Sequence, residues 1–181
     1  MSELPNKAGK LPILIRPATQ GDINFIFNSW LKSSHSTLPK AIEIPHTIYY
    51  SEHHKLLETI LKRCTILVAC DKKDPTMIYG YIVAELLHGF PTIHYLYVKQ
   101  TFRRLGIATN LLNCLDINQE SVIFNSHTSP SFINNFGNKR QFIYNPYLQH
   151  AYGDQSETVG VLNYGTPSKP FILETKNETK D

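Results

Sequence analysis

The chain has 181 residues, of which 41% are hydrophobic and 18% charged, enough apolar material for one buried core and too little charge for a disordered chain. Eighteen Lys and Arg against 15 Asp and Glu give a formal charge of +3, and no run of five or six like charges concentrates it, which argues against a nucleic-acid partner. The longest apolar stretch, Met77 to Leu87, contains Gly80 and Glu85 and falls short of the ~18 residues that a membrane span requires. The N-terminal segment lacks an apolar block of signal-peptide length, and Cys64, Cys70 and Cys114 form no CxxC. The expectation is a soluble cytoplasmic protein with reduced thiols and no membrane contact.

In chain order, residues 1–12 and 174–181 read as flexible ends around a single domain spanning 13–173. Ile13 to Ala18 predicts a strand. Thr19 then caps a helix, with Asp22 three residues later and Ile23, Ile26, Phe27, Trp30 and Leu31 at helical spacing. Residues 33–51 read as a long connector holding Pro39, Pro45 and Tyr49-Tyr50, and Ser51 as the cap of a second helix with Leu56, Leu57, Ile60 and Leu61 on its inner face. Thr65 to Cys70 and Met77 to Leu86 form a predicted hairpin around the turn 71–75. A second turn at His88-Gly89-Phe90-Pro91 leads to the strand Thr92 to Val98. A helix is expected from Arg104, then a strand over Ser121–Ser126, a short helix over Ser129–Phe136, and strands at Gln141–Asn145 and Phe171–Leu173. Tight turns between consecutive strands imply antiparallel pairing, and the strand-helix-strand unit at 92–126 implies one parallel crossover. The predicted fold is α/β: a mixed, mostly antiparallel sheet, split near Val98, with helices on both faces.

The segment Tyr97-Val98-Lys99-Gln100-Thr101-Phe102-Arg103-Arg104-Leu105-Gly106-Ile107-Ala108 carries the chemistry. A strand ends and a helix begins with two arginines, a glycine and an alanine. First-turn amides have no partners inside their helix and the helix dipole is positive there, while Gly106 and Ala108 let an anion approach the backbone. Arg103 and Arg104 add charged donors. The pattern reads as a pyrophosphate cradle; an ordinary helix start with solvated arginines is the competing reading. Neither GxGxxG nor GxxxxGK[ST] is present.

Arg103-Arg104-Leu105-Gly106-Ile107-Ala108, following Tyr97-Val98, resembles the R/Q-x-x-G-x-G/A acetyl-CoA motif of the GCN5-related N-acetyltransferases (the GNAT family), and the order of elements from Ile13 to Ser126 is similar to that fold. Ile48-Tyr49-Tyr50, Ile78 to Val83 and Tyr144-Asn145-Pro146-Tyr147-Leu148 resemble small acetyltransferase-like proteins of tailed bacteriophages. The resemblance implies transfer of acetyl from acetyl-CoA, as co-substrate and without a metal, to a primary amine of a small molecule or protein by direct attack on the thioester. The alternative is a catalytically weak or inactive GNAT-like phage protein that binds acyl-CoA, or serves as an interaction or virion component with a phage or host protein partner; a phage-encoded chain would work in the host cytoplasm.

The resemblance assigns Leu96, Tyr97 and Val98 to the pantetheine arm, and Arg103, Arg104, Leu105, Gly106, Ile107, Ala108 and Thr109 to the pyrophosphate. Ser126 falls where many relatives carry a pantetheine-binding Asn. His94 is the expected general base, an imidazole with an ordinary pKa near 6.5 suiting proton removal at neutral pH; a hydrogen-bonded structural histidine is the competing reading. Glu85 is the second candidate base, against a solvated strand-end carboxylate. Ile133 occupies the position at which the family presents its acid Tyr. Trp30 reads as core packing, while Tyr49 and Tyr50 divide between core and acceptor pocket.

Overall fold

The computed structural model describes residues 12–37, 43–115, 117, 121–127, 129, 132, 134, 142–149, 159–160, 164–166 and 169–171. The first strand, β1 (Ile13–Pro17), hands the chain to α1 (Gln20–Thr37) through the expected Thr19–Asp22 pair. The Thr19 backbone N–H and hydroxyl both donate to Asp22 Oδ2, at 2.7 and 2.9 Å, and Arg16 clamps the same carboxylate at 2.6 and 3.0 Å. Burial works to raise the Asp22 pKa, but the bonds from Arg16 and Thr19 outweigh it and hold the carboxyl below its usual range.

Several boundaries differ from the sequence reading, beginning with those of the first two helices. α1 continues to Thr37, because its late serines return their hydroxyls to carbonyls one turn back: Ser33 to Ser29 at 2.5 Å and Ser34 to Trp30 at 2.9 Å. α2 (His46–Arg63) begins before Ser51, with the Pro45 carbonyl accepting from the Ile48 and Tyr49 amides at 3.0 Å each. Proline fixes φ for a helix start. Tyr49 and Tyr50 are therefore helical, with Tyr49 buried, not part of a connector.

The sheet follows in β2 (Thr65–Asp71), β3 (Ile78–Leu87), β4 (Phe90–Val98), β5 (Ile123–Asn125), β6 (Phe142–Tyr144) and β7 (Val159–Gly160). The order is β1-β2-β3-β4-β5-β6, with β7 on the far end of β3. Pairing is antiparallel for β1/β2, β2/β3, β3/β4 and β3/β7, and parallel for β4/β5 and β5/β6. β8 (Tyr164–Thr166) and β9 (Lys169–Phe171) form a separate antiparallel ribbon; of the strand expected over Phe171–Leu173, Phe171 is in β9 and the rest lies outside the described residues. α3 spans Ile107–Cys114, after a single 3₁₀ turn at Gln100–Phe102. It therefore starts three residues later than expected, and both arginines lie in the loop ahead of it.

Helices cover both faces, as the sequence implied. α3 packs Ile107, Leu111 and Leu112 against Leu67, Ile82, Ala84 and Ile93. α1 and α2 pack Ile26, Trp30, Leu57 and Ile60 against Val68, Tyr81, Val83 and Tyr95 on the other face. Ile93 and Tyr95 serve opposite cores although two residues apart, because the β3/β4 register slips between them: Val83 faces Tyr95, Ala84 faces Ile93, and His94 is the extra residue of a β-bulge. Phe132 and Asn134 are helical, in keeping with the helix expected there. Ile133 and, apart from Pro12, the expected flexible ends lie outside the described residues.

Candidate functional site

β4 and β5 part just beyond the bulge. They pair only at Thr92/Phe124 and Ile93/Asn125, and the Ser126 amide makes a last bond to the Ile93 carbonyl at 3.1 Å. Past that point β4 runs on to Val98 beside β3 alone among the described residues. Lys99 N–H bonds Tyr79 O on the β3 side at 2.8 Å, so strand alternation turns the peptide groups of Leu96 and Val98 toward the opening. Arg103 Nε reaches the Val98 carbonyl across it at 3.2 Å. Gly80 lets β3 come this close: a Cβ there would sit 2.4 Å from the Tyr97 carbonyl oxygen.

The opening is a cleft of about 490 Å³ whose lining includes Leu96, Tyr97, Val98, Arg103, Arg104, Gly106, Ile107, Ala108 and Thr109. Gly106 caps α3 in the left-handed region at φ 77° with no side-chain cap. The first helical bond comes from Asn110 N to Gly106 O at 2.9 Å, which leaves the amides of Ile107, Ala108 and Thr109 ahead of it, where an anion finds donors and the positive end of the dipole. Arg104 is itself left-handed, at φ 65°, in the same turn.

Two of the sequence-assigned cofactor residues are not in the lining. Leu105 projects outward, 51% exposed, because the turn at Arg104 swings it away. Ser126 is fully buried; its hydroxyl bonds His94 Nδ1 at 2.7 Å and its carbonyl accepts from Gln149 Nε2 at 2.5 Å.

The expected bases are also elsewhere. His94 and Glu85 are fully buried and joined, Nε2 to Oε1, at 2.6 Å. Arg63, in the last turn of α2, donates Nε to both Glu85 oxygens at 3.0 and 3.1 Å. Both ring nitrogens of His94 are therefore occupied, and neither residue lines the cleft. The partners assign the tautomer: Nε2–H donates to the carboxylate, and Nδ1 accepts from the Ser126 hydroxyl. Burial lowers the His94 pKa against the raising effect of Glu85. Burial would raise that of Glu85, but the bond from His94 and the charge of Arg63 bring it down. Glu85 is thus a buried ion-pair member, not a solvated strand-end carboxylate. Cys64 adds a third potential ligand atom, the three lying within 4.8 Å of one another. The guanidinium of Arg63 supplies the positive charge that a cation would otherwise bring.

A residue that the sequence reading passed over stands in the cleft. His127 follows Ser126 where β4 and β5 part, its ring centroid 4.9 Å from that of Tyr95, and its Nε2 is buried without a hydrogen-bond partner among the described residues. Burial, with a smaller contribution from His53, pushes its pKa down to about 4. Its place next to Ser126 was the available signal. Ser33 and Thr37, one turn apart on α1, complete that wall, Ser33 bonding the Tyr95 hydroxyl at 2.5 Å. Trp30 stacks on Tyr95 at 4.5 Å and belongs to the core, as expected.

No protein-family model and no curated protein matches the chain. Among solved structures, a protein from Pyrococcus furiosus described as a putative acetyl transferase is similar at 21% identity, over 55% of this chain and 69% of that one, with a TM-score of 0.48. A possible acetyltransferase from Clostridium difficile 630 gives 18% identity over 70% and 86%, with a TM-score of 0.47. The GNAT family N-acetyltransferase YhbS of Escherichia coli, solved in complex with CoA, gives 18% over 59% and 56%, with a TM-score of 0.37. At such identity and overlap, the function of this chain rests on its own residues.

Proposed function

We propose that the protein is an acetyl-CoA-dependent N-acetyltransferase of the GNAT type, acting on a primary amine by direct attack on the thioester. One observation carries the reading: Arg103, Arg104 and Gly106–Ala108 form one wall of a cleft whose other border is a strand edge with no strand beside it among the described residues. The diphosphate of the co-substrate would meet the amides of Ile107 to Thr109 with Arg103 and Arg104 beside them. The Leu96 and Val98 peptide groups would bond the amides of the pantetheine arm. The chain's own fit supports this assignment, since three helix-start amides, two guanidinium groups and a free strand edge are complementary to an anion joined to an amide-bearing chain. Bound there, acetyl-CoA would supply an activated acyl group. An amine would approach from the Ser33, Thr37 and Tyr95 side.

Titration calorimetry with acetyl-CoA tests the reading, with Gly106→Glu expected to lose binding and Gly106→Ala to keep it. No heat from the wild type at millimolar acetyl-CoA would overturn it. A second reading, binding of acyl-CoA without turnover, is favoured by the closure of His94 and Glu85 away from the cleft. Thiol release across a panel of primary amines separates the two.

A further inference from the structure

We infer that His127 is the catalytic residue that takes the proton from the attacking amine and returns it to the departing thiol, an inference that rests on the acyl-CoA reading above. The structure leaves few other groups for the task. His94 has both nitrogens engaged, Glu85 is paired with Arg63 and His94, and neither opens on the cleft. Tyr95, on β4, has its hydroxyl tied to Ser33 and is pushed up to about 12 by burial, so it stays protonated. Arg103 and Arg104 belong to the anion end of the cleft and are permanent cations.

Among the described residues, His127 alone combines a cleft position with a buried, unpartnered ring nitrogen. Nε2 itself has almost no exposed surface, but its ring lines the cleft, and buried nitrogens of native proteins almost always have a partner, so this orphan calls for one from the occupant. Among the described residues, the titratable groups that act on the ring are Tyr95 from β4, its ring centroid 4.9 Å away, and His53 from α2, while Ser33 and Thr37 from α1 line the same cleft. Among them is no carboxylate to hold an imidazolium, and the ring is neutral in the resting protein. A neutral ring is the form that a base needs.

The proton and electron accounts close on this one nitrogen. The amine lone pair forms the C–N bond to the acyl carbon. The C–S bond breaks, and its electron pair leaves on sulfur. The proton lost by the amine nitrogen passes to Nε2 and from there to sulfur, giving the amide, the free thiol and a neutral His127. The negative charge of the departing thiolate offsets the penalty that burial places on the imidazolium.

The test needs no knowledge of the amine. Protein labelled with ¹⁵N in its histidine rings, with His127 assigned through backbone correlations, is titrated with acid while free, with saturating CoA, and with saturating desulfo-CoA, which lacks the thiol. We expect His127 to titrate well below an ordinary histidine in the free protein, and its Nε2 resonance to move on binding CoA, whose thiol offers the ring a hydrogen-bond partner, but not on binding desulfo-CoA. Identical Nε2 resonances for His127 in the two complexes would overturn the inference while leaving cofactor binding intact. Absence of binding by both compounds would instead sink the acyl-CoA reading and the inference with it. Once an amine is found, His127→Gln should lower kcat by about 10²–10⁴-fold with little change in acetyl-CoA affinity, the usual loss for a proton-transfer group.

Discussion

Nε2 of His94 lies 2.6 Å from Oε1 of Glu85 with both side chains fully buried, so two residues that the sequence offers as alternative bases are each other's partner. With Arg63 on the far side of the carboxylate, they tie the end of α2 to β3, β4 and, through Ser126, the end of β5. Glu85→Ala would take the carboxylate away from a partly buried guanidinium and a buried imidazole at once. Removing one member of a buried ion pair costs about 3–5 kcal/mol. Urea unfolding should show a loss of that order for Glu85→Ala and a smaller one for Glu85→Gln, which still accepts a hydrogen bond. Equal midpoints for wild type and Glu85→Ala would show that the network contributes nothing to stability.

Stability should fall on the acid side. His53, His94 and His127 all have lowered pKa values in the folded protein, so the unfolded chain binds protons first as pH drops, and stability decreases with falling pH. Glu85, also lowered, acts in the same sense at lower pH: its contribution is present above the unfolded carboxyl pKa and lost as pH falls through the folded one. For His127 the loss begins near an unfolded value of ~6.5 and continues down to about 4. Melting temperatures across pH 4–8, with units set by buffer, should fall most steeply in that window, and His127→Gln should flatten the curve there. A mutant profile parallel to the wild type would contradict the assignment.

Gly80 and Gly106 should respond differently to alanine. At Gly106 nothing lies within 4 Å of an added Cβ, so the cost is that of a left-handed backbone, about 1–2 kcal/mol. At Gly80 the methyl meets the Tyr97 carbonyl oxygen at 2.4 Å and Val98 Cα at 3.2 Å, both backbone atoms that cannot step aside without moving β4. Denaturant unfolding should rank Gly80→Ala as the more damaging. The reverse order would mean that β3 and β4 separate easily.

Arg104→Gly should divide stability from binding. Glycine relieves the positive φ of 65°, so the melting temperature should hold or rise, while acetyl-CoA affinity falls with loss of a cation from the cleft rim. Calorimetry in low and moderate salt should show the wild type losing affinity with salt faster than the mutant. Unchanged affinity would place Arg104 outside the anion site.

The apolar runs made the central hairpin legible: Thr65–Cys70 and, after the exposed Met77, Ile78–Glu85 are buried on both faces and could be little else. The cleft wall at Arg103–Ala108 was legible because its small and basic residues follow directly on a strand. What escaped notice depends on long-range or single-residue geometry. The polar end of α1 reads as a connector until its serines are seen bonding to carbonyls one turn back and to tyrosines of the sheet and α2, Ser29 to Tyr81 and Ser34 to Tyr49. His94 looked like a site residue because the run Thr92 to Val98 carries no mark of the bulge. His127 belongs to no periodic pattern, and its exposure to the cleft follows from where two strands diverge, which no local window encodes.

The bulge at His94 makes β4 a strand of changing parity. Ahead of it the odd position Ile93 feeds the α3 side; behind it the odd positions Tyr95 and Tyr97 feed the α1/α2 side, and the even positions Leu96 and Val98 take over toward α3. Deleting His94 would restore an unbroken ladder and leave every downstream side chain on its present side, because Ile93 and Tyr95 would then be adjacent residues pointing to opposite faces. The strand thus carries two phase-shifted halves, and one supernumerary amino acid keeps them out of step.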